Sequence, residues 1–484
     1  MAGRRDYAAA TSHPLSTRAA MKVLERGGNA YDAALAASAC LVVVQPNLNG
    51  LGGDMFLVTD ETKPVALNSS GFSAEAATPE FFRSKGYSEI PKRGPHASFM
   101  VPGIPAAWKF LAERASMKPR ELMGDAIEIA RNGFRVSEKI AAAIRLMSGM
   151  TEDPDWQATY TARETGDLLV QRDLSKTLEV LSEDLDAFYT GEIAKKIEED
   201  MVRKGGLLRR GDLEEYRPGV YEAPHVRYRG YDVFTNPPNS QGLTELVWLR
   251  LLEGRENDDS TFRSAIETME TAYFYRARYI GDPRYVRFPE WLLSGPVESV
   301  AQRAGKMTFG ASDTTAFSVF DGDFGISAIQ SNYMGFGSGH TIHGTGINMS
   351  NRGSYFTLDE RHHNCVAPRK LSFHTLMATL ARGDRKIFLG SMGGDVQPQV
   401  NVQILIRLID LGLDIQESID RPRFAYPATI YGTSDIYVEP GLRIEGAKGV
   451  EPLNSLMGHA QGITVSHETR AGFDLRGDAF TQVF

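Results

Sequence analysis

Thr314 follows Asp313 directly in the stretch S-D-T-T-A-F-S-V and opens a pair of threonines two-thirds of the way along the chain. If the bond before it is cut, Thr314 gains a free α-amine beside its hydroxyl, so nucleophile and general base sit on one residue. An α-amine with an ordinary pKa of about 7.7 to 8.0 is partly neutral near pH 7. Amide cleavage also needs donors aimed at the developing oxyanion. In G-S-M-G-G-D, Gly393 and Gly394 follow a predicted strand, and without side chains their backbone N–H groups can approach a carbonyl. Losing one such donor typically costs about 3 kcal/mol of transition-state stabilisation. Each feature also has a plain structural reading: D-T-T before an alternating apolar run is a polar entry to a β-strand, and G-G is a tight turn.

The elements that must position these residues follow from pattern. Ser16 is a good N-cap for a helix running to Arg26, stopped by Gly27-Gly28, and Asn29 caps a second helix from about Ala30 to Val44. N-L-N-G-L-G-G-D is too glycine-rich for a regular element; it reads as a turn bringing backbone close to something, followed by a strand at Met55 to Val58. From about Ser98 to Gly310 the period is mostly helical, with a strand-like interlude at V-R-Y-R-G-Y-D-V-F-T. R-A-G-K-M-T-F-G-A-S-D, just before Thr314, suits an exposed linker. After it, T-T-A-F-S-V-F, a D-G-D turn and F-G-I-S-A-I-Q-S read as a β-hairpin, K-I-F-L-G-S as a strand, and the run from Val396 as a helix ending near Gly412. Strands flanked by helices predict a layered α+β sandwich.

With 484 residues and an apolar fraction of 42%, the chain can bury a large core, and no apolar run approaches the roughly 18 residues of a membrane helix. The net charge of -8, spread along the chain, argues against a nucleic-acid surface and favours small-molecule chemistry. Two cysteines, Cys40 and Cys365, make no disulfide framework and read as reduced apolar fillers. The N-terminal stretch lacks the apolar region of a secretory signal, so a cytoplasmic location is expected. G-F-G-S-G at Gly335 to Gly339 lacks the spacing of a phosphate cradle, and His340, His343, His362, His363 and Cys365 fit no closed zinc pattern. No metal or organic cofactor is expected.

Several segments in one order resemble the γ-glutamyltransferase (γ-glutamyltranspeptidase) family: H-P-L-S-T-R-A-A-M-K-V-L-E-R-G-G-N-A-Y-D-A-A from His13, Q-P-N-L-N-G-L-G-G-D ending at Asp54, V-P-G-I-P-A-A-W, P-P-N-S-Q-G around Ser240, Q-S-N-Y-M-G-F-G-S-G, G-S-M-G-G-D-V-Q-P-Q and D-R-P-R-F. The resemblance implies the four-layer αββα sandwich of N-terminal nucleophile hydrolases. It also implies a precursor cut into segments 1–313 and 314–484 that share this sandwich, and it permits assembly into dimers or tetramers. It places Ser331 where a hydroxyl hydrogen-bonds the nucleophile, makes Gly393 and Gly394 the oxyanion donors, and sets His374 and Thr375 where a serine pair binds the substrate α-carboxylate.

The chain also departs from the family pattern. Tyr333 stands where an asparagine usually holds the substrate, Pro79 where an arginine clamps the α-carboxylate, and Tyr355 where an aspartate accepts the α-amine. Losing a guanidinium fork removes the strongest carboxylate recognition available. Arg352 is a nearby cation that can take over as a carboxylate partner, although a loop arginine is ordinarily solvated. The segment from Tyr355 to Arg369 is short where many relatives carry a lid, so an open site with easier water entry is expected. These changes resemble the acylase-like and hydrolase-like branch of the family. The expected function is a threonine amidohydrolase acting on a small-molecule amide such as glutathione or another acyl amide, hydrolysis being favoured over transfer. The competing expectation is an uncut, inactive relative that binds a small molecule.

Overall fold

The computed structural model describes residues 6–298, 313–426 and 435–484. Two antiparallel sheets lie face to face. The first runs, in spatial order, Phe480–Val483, Ala8–Thr11, Asp313–Phe320, Gly325–Tyr333, Asp54–Thr59, Val65–Ser69 and Gly219–Glu222. The second runs Thr469–Phe473, His459–Val465, Lys386–Met392, Thr379–Arg382, Tyr231–Phe234 and His225–Tyr228. Both sheets combine strands from before and after residue 313, interleaved in the first and in two adjacent blocks in the second.

The alternation of side chains makes these sheets the inner layers. Phe317, Val319, Met55 and Leu57 point outward into a core shared with helices Pro14–Glu25, Ala30–Val44 and Ile104–Ala112. Their neighbours Ala316, Phe320, Phe56 and Val58 point inward and meet Phe388, Leu380 and Ile463 of the second sheet. On the far face of that sheet, Ile387 and Leu389 pack with helices Gly242–Leu252, Arg263–Tyr279 and Gln397–Leu405. Three apolar layers between four layers of structure give the expected αββα sandwich, and each strand buried on both faces reads as a nearly continuous apolar run for that reason.

The second helix spans Ala30–Val44 as expected, with Asn29 and Asp32 forming a reciprocal capping box. The first helix instead starts at Pro14, capped by His13, whose Nδ1 accepts from the Leu15 N–H. Pro14 already has the helical φ of a first position, and Ser16 turns its hydroxyl to the Ala37 carbonyl at 3.0 Å, joining the two helices instead of capping one. Cys40 and Cys365 are buried and unbridged. The linker from Arg303 to Ser312 lies outside the described residues. Among the described residues no helix is long and apolar enough to cross a membrane.

Candidate active site

Thr314 lies at the entry of the central strand Asp313–Phe320. Alternation puts its side chain on the same face as Ala316 and Phe320, toward the second sheet. The two sheets cross there in a regular order. Phe320 lies against Phe388, their rings 6.1 Å apart, and a Cβ on Gly390 would sit 2.8 Å from that of Ala316. The crossing thus runs toward the C-terminal end of strand Lys386–Met392 as the central strand is followed back toward Thr314. Thr314 is 1% exposed, and its hydroxyl is buried without a hydrogen-bond partner. The expected open site is thus not what the continuous chain presents at Thr314, because this residue enters between two packed sheets.

Ser331 lies on the neighbouring strand Gly325–Tyr333, across from Asp54 in the ladder, and its Oγ accepts from the Tyr333 N–H at 2.7 Å. The pairing with Thr314's strand slips between Gln330, opposite Thr315, and Tyr333, opposite Asp313. The glycines of G-L-G-G-D explain how the preceding turn reaches this place. A Cβ on Gly53 would lie 2.3 Å from the Ser331 carbonyl oxygen, and one on Gly52 would lie 2.4 Å from that of Asn348. The close approach read from sequence is backbone against backbone, and only glycine permits it.

Beside Ser331, the Tyr333 ring packs tilted against that of Tyr355, with ring centroids 4.5 Å apart. The Arg352 guanidinium lies 4.4 Å from the Tyr333 centroid and 5.3 Å from that of Tyr355. Arg352 is fully buried, so the solvated-loop reading of this residue is overturned. The two rings, packed against each other, both lie against the guanidinium from one side. Nη1 donates to the Thr375 hydroxyl at 3.1 Å, while Nε and Nη2 have no hydrogen-bond partner. Burial holds the guanidinium pKa below its ordinary value, partly opposed by the neighbouring Tyr355, Asp54, Tyr333 and Asp395 side chains.

His374 does not present a free ring nitrogen to a ligand. Its Nδ1 accepts from the Leu376 N–H at 3.1 Å, so Nε2 carries the proton and donates to Asp54 Oδ2 at 3.0 Å. This corrects the expectation that His374 binds the substrate carboxylate; the ring instead anchors the chain next to Thr375. Burial pushes the Asp54 carboxyl up to about 7, and burial together with Arg352 holds the His374 pKa far below its usual range. The pair is thus a neutral imidazole donating to a carboxyl, whose other oxygen accepts from the Gly71 N–H.

The diglycine is held from behind. Gly393 has φ +142° and Gly394 φ +56°, and a Cβ on Gly393 would lie 2.7 Å from Val396 Cγ2. Gln241 Nε2 donates to the carbonyls of Gly394 at 2.8 Å and Thr375 at 2.7 Å. Arg276 Nη1 bridges Gln241 Oε1 at 2.8 Å and Asp395 Oδ1 at 2.7 Å. The Tyr355 hydroxyl donates to Asp395 Oδ2 at 3.2 Å, and burial raises the Asp395 pKa against the pull of Arg276.

One buried network therefore joins Thr375, Arg352, Tyr355, Asp395, Gln241 and the diglycine. Asp54, Gln241, Arg276 and Asp395 were not singled out from sequence. Asp54 ends the motif Q-P-N-L-N-G-L-G-G-D, and Gln241 and Asp395 lie within P-P-N-S-Q-G and G-S-M-G-G-D-V-Q-P-Q, so the polar residues of these motifs were the available signal. Pro79 begins the helix Pro79–Ser84 and is capped by Thr78. Among the described residues no group of three or more His, Cys, Asp or Glu side chains is arranged to hold a metal ion. His340 instead bonds Asp200 and Ser98, and His343 bonds Asp155.

Residues 16–482 match the family described as Gamma-glutamyltranspeptidase. The chain is 35% identical to a glutathione hydrolase-like YwrD proenzyme of Bacillus subtilis (strain 168), covering 96% of each chain. It is 34% identical to an oxamate amidohydrolase proenzyme of Klebsiella pneumoniae, over 90% of this chain and 87% of that one. Among solved structures it superimposes on a cephalosporin acylase from Bacillus halodurans with a TM-score of 0.89 at 32% identity, covering 99% of this chain and 96% of the other.

Proposed function

The chain belongs to the gamma-glutamyltranspeptidase family of enzymes, and from that premise we propose that it is a threonine amidohydrolase that cuts itself between Asp313 and Thr314. The observation that carries the reading is the Thr314 hydroxyl, buried without a hydrogen-bond partner at the start of the central strand. A buried hydroxyl with no partner costs roughly 1 to 3 kcal/mol, and a residue kept at that cost is a candidate for chemistry.

In the first step the Thr314 Oγ attacks the Asp313 carbonyl carbon. The C–N bond breaks, the acyl group moves to oxygen as an ester, and the Thr314 nitrogen becomes a free amine. Water then opens the ester, leaving Asp313 as the carboxyl terminus of segment 1–313 and Thr314 as the first residue of segment 314–484.

In turnover the same Oγ attacks a substrate amide while the α-amine takes its proton and passes it to the leaving nitrogen. Ser331 orients the hydroxyl, and the Gly393 and Gly394 N–H groups receive the oxyanion. Water releases the acyl group by the reverse proton path. The acyl side of the substrate lies toward Tyr333, Arg352 and Thr375, with His374 holding Thr375 in place. The substrates in this reading are γ-glutamyl amides such as glutathione, or related acyl amides; the names of the relatives, a glutathione hydrolase-like protein, an oxamate amidohydrolase and a cephalosporin acylase, support an amide bond as the common target.

The denatured mass of freshly purified protein tests this first. Fragments 1–313 and 314–484, with amide hydrolysis that disappears in Thr314→Ala, are expected. A single 53.3 kDa chain after prolonged incubation would sink the reading and leave a binding protein.

A further inference from the structure

We propose that the outer face of the first sheet carries a second binding site, for a small organic anion with a flat apolar body and one carboxylate, in a cavity separate from the Thr314 site. Every residue that lines it precedes residue 313, so it needs no chain cleavage and stands whether or not Thr314 is a nucleophile.

The cavity has a volume of about 570 Å³ and lies between the helix Ile104–Ala112, the turn after Leu185–Phe188 and the edge strand Gly219–Glu222. That helix packs on the outer face of the sheet, whereas Thr314 points between the two sheets. Small-molecule sites are typically about 300 to 1,000 Å³, mostly apolar, with a few polar groups that fix orientation.

Its floor is aromatic. Tyr189 and Tyr216 pack with ring centroids 5.6 Å apart, and both hydroxyls are turned into the protein. Tyr189 donates to the Pro102 carbonyl at 2.7 Å and accepts from the Ala106 N–H at 3.0 Å. Tyr216 donates to the Ser70 carbonyl and meets the Ser69 hydroxyl, each at 3.2 Å. A tyrosine near a surface ordinarily keeps its hydroxyl wet and buries its ring. Here the hydroxyls are the buried ends, so the cavity meets ring carbon, extended by Phe110 and by Val220, which is 49% exposed. An apolar hollow left open to water and rimmed by polar groups marks a place where a ligand sits.

The rim supplies the sign of the charge. Lys109 is spent on Asp186 at 2.6 Å. The Arg114 guanidinium lies 3.8 Å from the Phe110 ring centroid, and its ion pair with Glu113 is loose, also at 3.8 Å. Arg217 donates to the Glu214 and Tyr216 carbonyls at 2.8 and 2.6 Å and makes no ion pair among the described residues. Three cations thus face two acids, and both arginines keep N–H groups for a carboxylate, which a guanidinium receives through parallel bonds. A cationic ligand would have to compete with Lys109 and Arg114 for the two acids. A peptide strand is disfavoured as the occupant, because the open sheet edge beside the cavity is four residues long and lies between Pro218 and Pro224.

The test is calorimetric titration of the uncut Thr314→Ala chain and of the parent with 2-naphthoate, against 2-naphthamide, which has the same rings and no charge. One saturable naphthoate site per chain is expected, at least fivefold tighter than the amide, with a preference that shrinks as salt rises. Arg114→Gln combined with Arg217→Gln should remove the preference and leave the affinity for the amide unchanged. Thr190→Trp and Val220→Trp, both at exposed positions lining the cavity, should each fill it and abolish binding of both probes, with the unfolding midpoint and any amidase rate as in the parent. Absence of saturable naphthoate binding, an amide bound as tightly, or a preference that persists in the double arginine variant overturns the proposal. Naphthoate binding that survives both tryptophan variants lies elsewhere on the protein and overturns it as well. None of these outcomes depends on whether the chain cuts itself.

Discussion

Tyr333 is the ladder partner of Asp313, and it holds that place with φ +78°. A bulky residue in the left-handed region is an outlier that the surrounding structure has to enforce. Here Ser331 does so by accepting the Tyr333 N–H, and Tyr355 by packing against the ring. The slip of register that separates Tyr333 from Gln330 leaves Thr314 without the regular ladder neighbours of the residues that follow it. The proposed cleavage bond and the proposed acyl pocket thus share one irregular stretch of sheet. Replacing Tyr333 with alanine should slow chain cleavage and turnover together, followed by the rate at which the 53.3 kDa band disappears and by kcat; a loss of turnover alone would separate the two.

Thr314→Val replaces the hydroxyl with a methyl of nearly the same shape. Because the hydroxyl has no partner, the variant should be as stable as the parent or more so, by up to about 1 kcal/mol. It should nonetheless remain a single chain without amidase activity. Thermal unfolding of the uncut variant against freshly made, still uncut parent protein measures the difference.

Gln241→Ala removes the donor that ties the Gly394 and Thr375 carbonyls together. The diglycine should lose its fixed orientation, lowering kcat by about tenfold to a hundredfold with a smaller change in KM. Steady-state kinetics on the cleaved variant test this, and an effect confined to KM would show that Gln241 serves binding alone. Gly393→Ala should be more severe, since the added Cβ meets Val396 in a backbone conformation that side chains resist.

Asp54→Asn creates a conflict at His374. Leu376 donates to Nδ1, so Nε2 must carry the proton, and an amide nitrogen turned toward it offers no acceptor. A choice of amide orientation that satisfies His374 leaves the Gly71 N–H facing the amide NH2. The expected loss is about 2 to 3 kcal/mol, read by denaturant unfolding of the uncleaved Thr314→Ala background.

Glu245 is fully buried in the helix Gly242–Leu252 and accepts bonds from Thr379 and Asn401. Burial pushes its pKa from 4.5 up to about 8. The folded state therefore binds a proton that the unfolded state has released, and stability contributed by this group falls as pH rises from about 4.5 to 8 and stays low above it. Glu245→Gln should remove that loss, on the order of a few kcal/mol, so the variant gains on the parent at pH 9 relative to pH 5. Unfolding free energies at the two values decide it; a parallel pH dependence in both proteins would refute the assignment.

Sequence by itself determined what is local or periodic. The Asn29 to Val44 helix was legible because its cap and its apolar run are contiguous, the hairpin on either side of the D-G-D turn because a strand announces itself by alternation, and the order of motifs fixed the family. Strands flanked by helices gave a layered sandwich, and the resemblance to the family made it the four-layer αββα one. The folded structure alone settled contacts that no periodicity encodes, some of them between residues hundreds of positions apart. That Arg352 is buried depends on Tyr333 and Tyr355 closing over it, and a lone arginine between polar residues carries no sign of this. That His374 is spent on Asp54 depends on a hydrogen bond across 320 positions. That Gln241 grips the diglycine depends on the second sheet bringing residues 241, 375 and 394 to one point. Periodicity reports which face of an element is apolar, whereas the partner of a buried polar group is chosen by packing, and in this protein those partners shape the site.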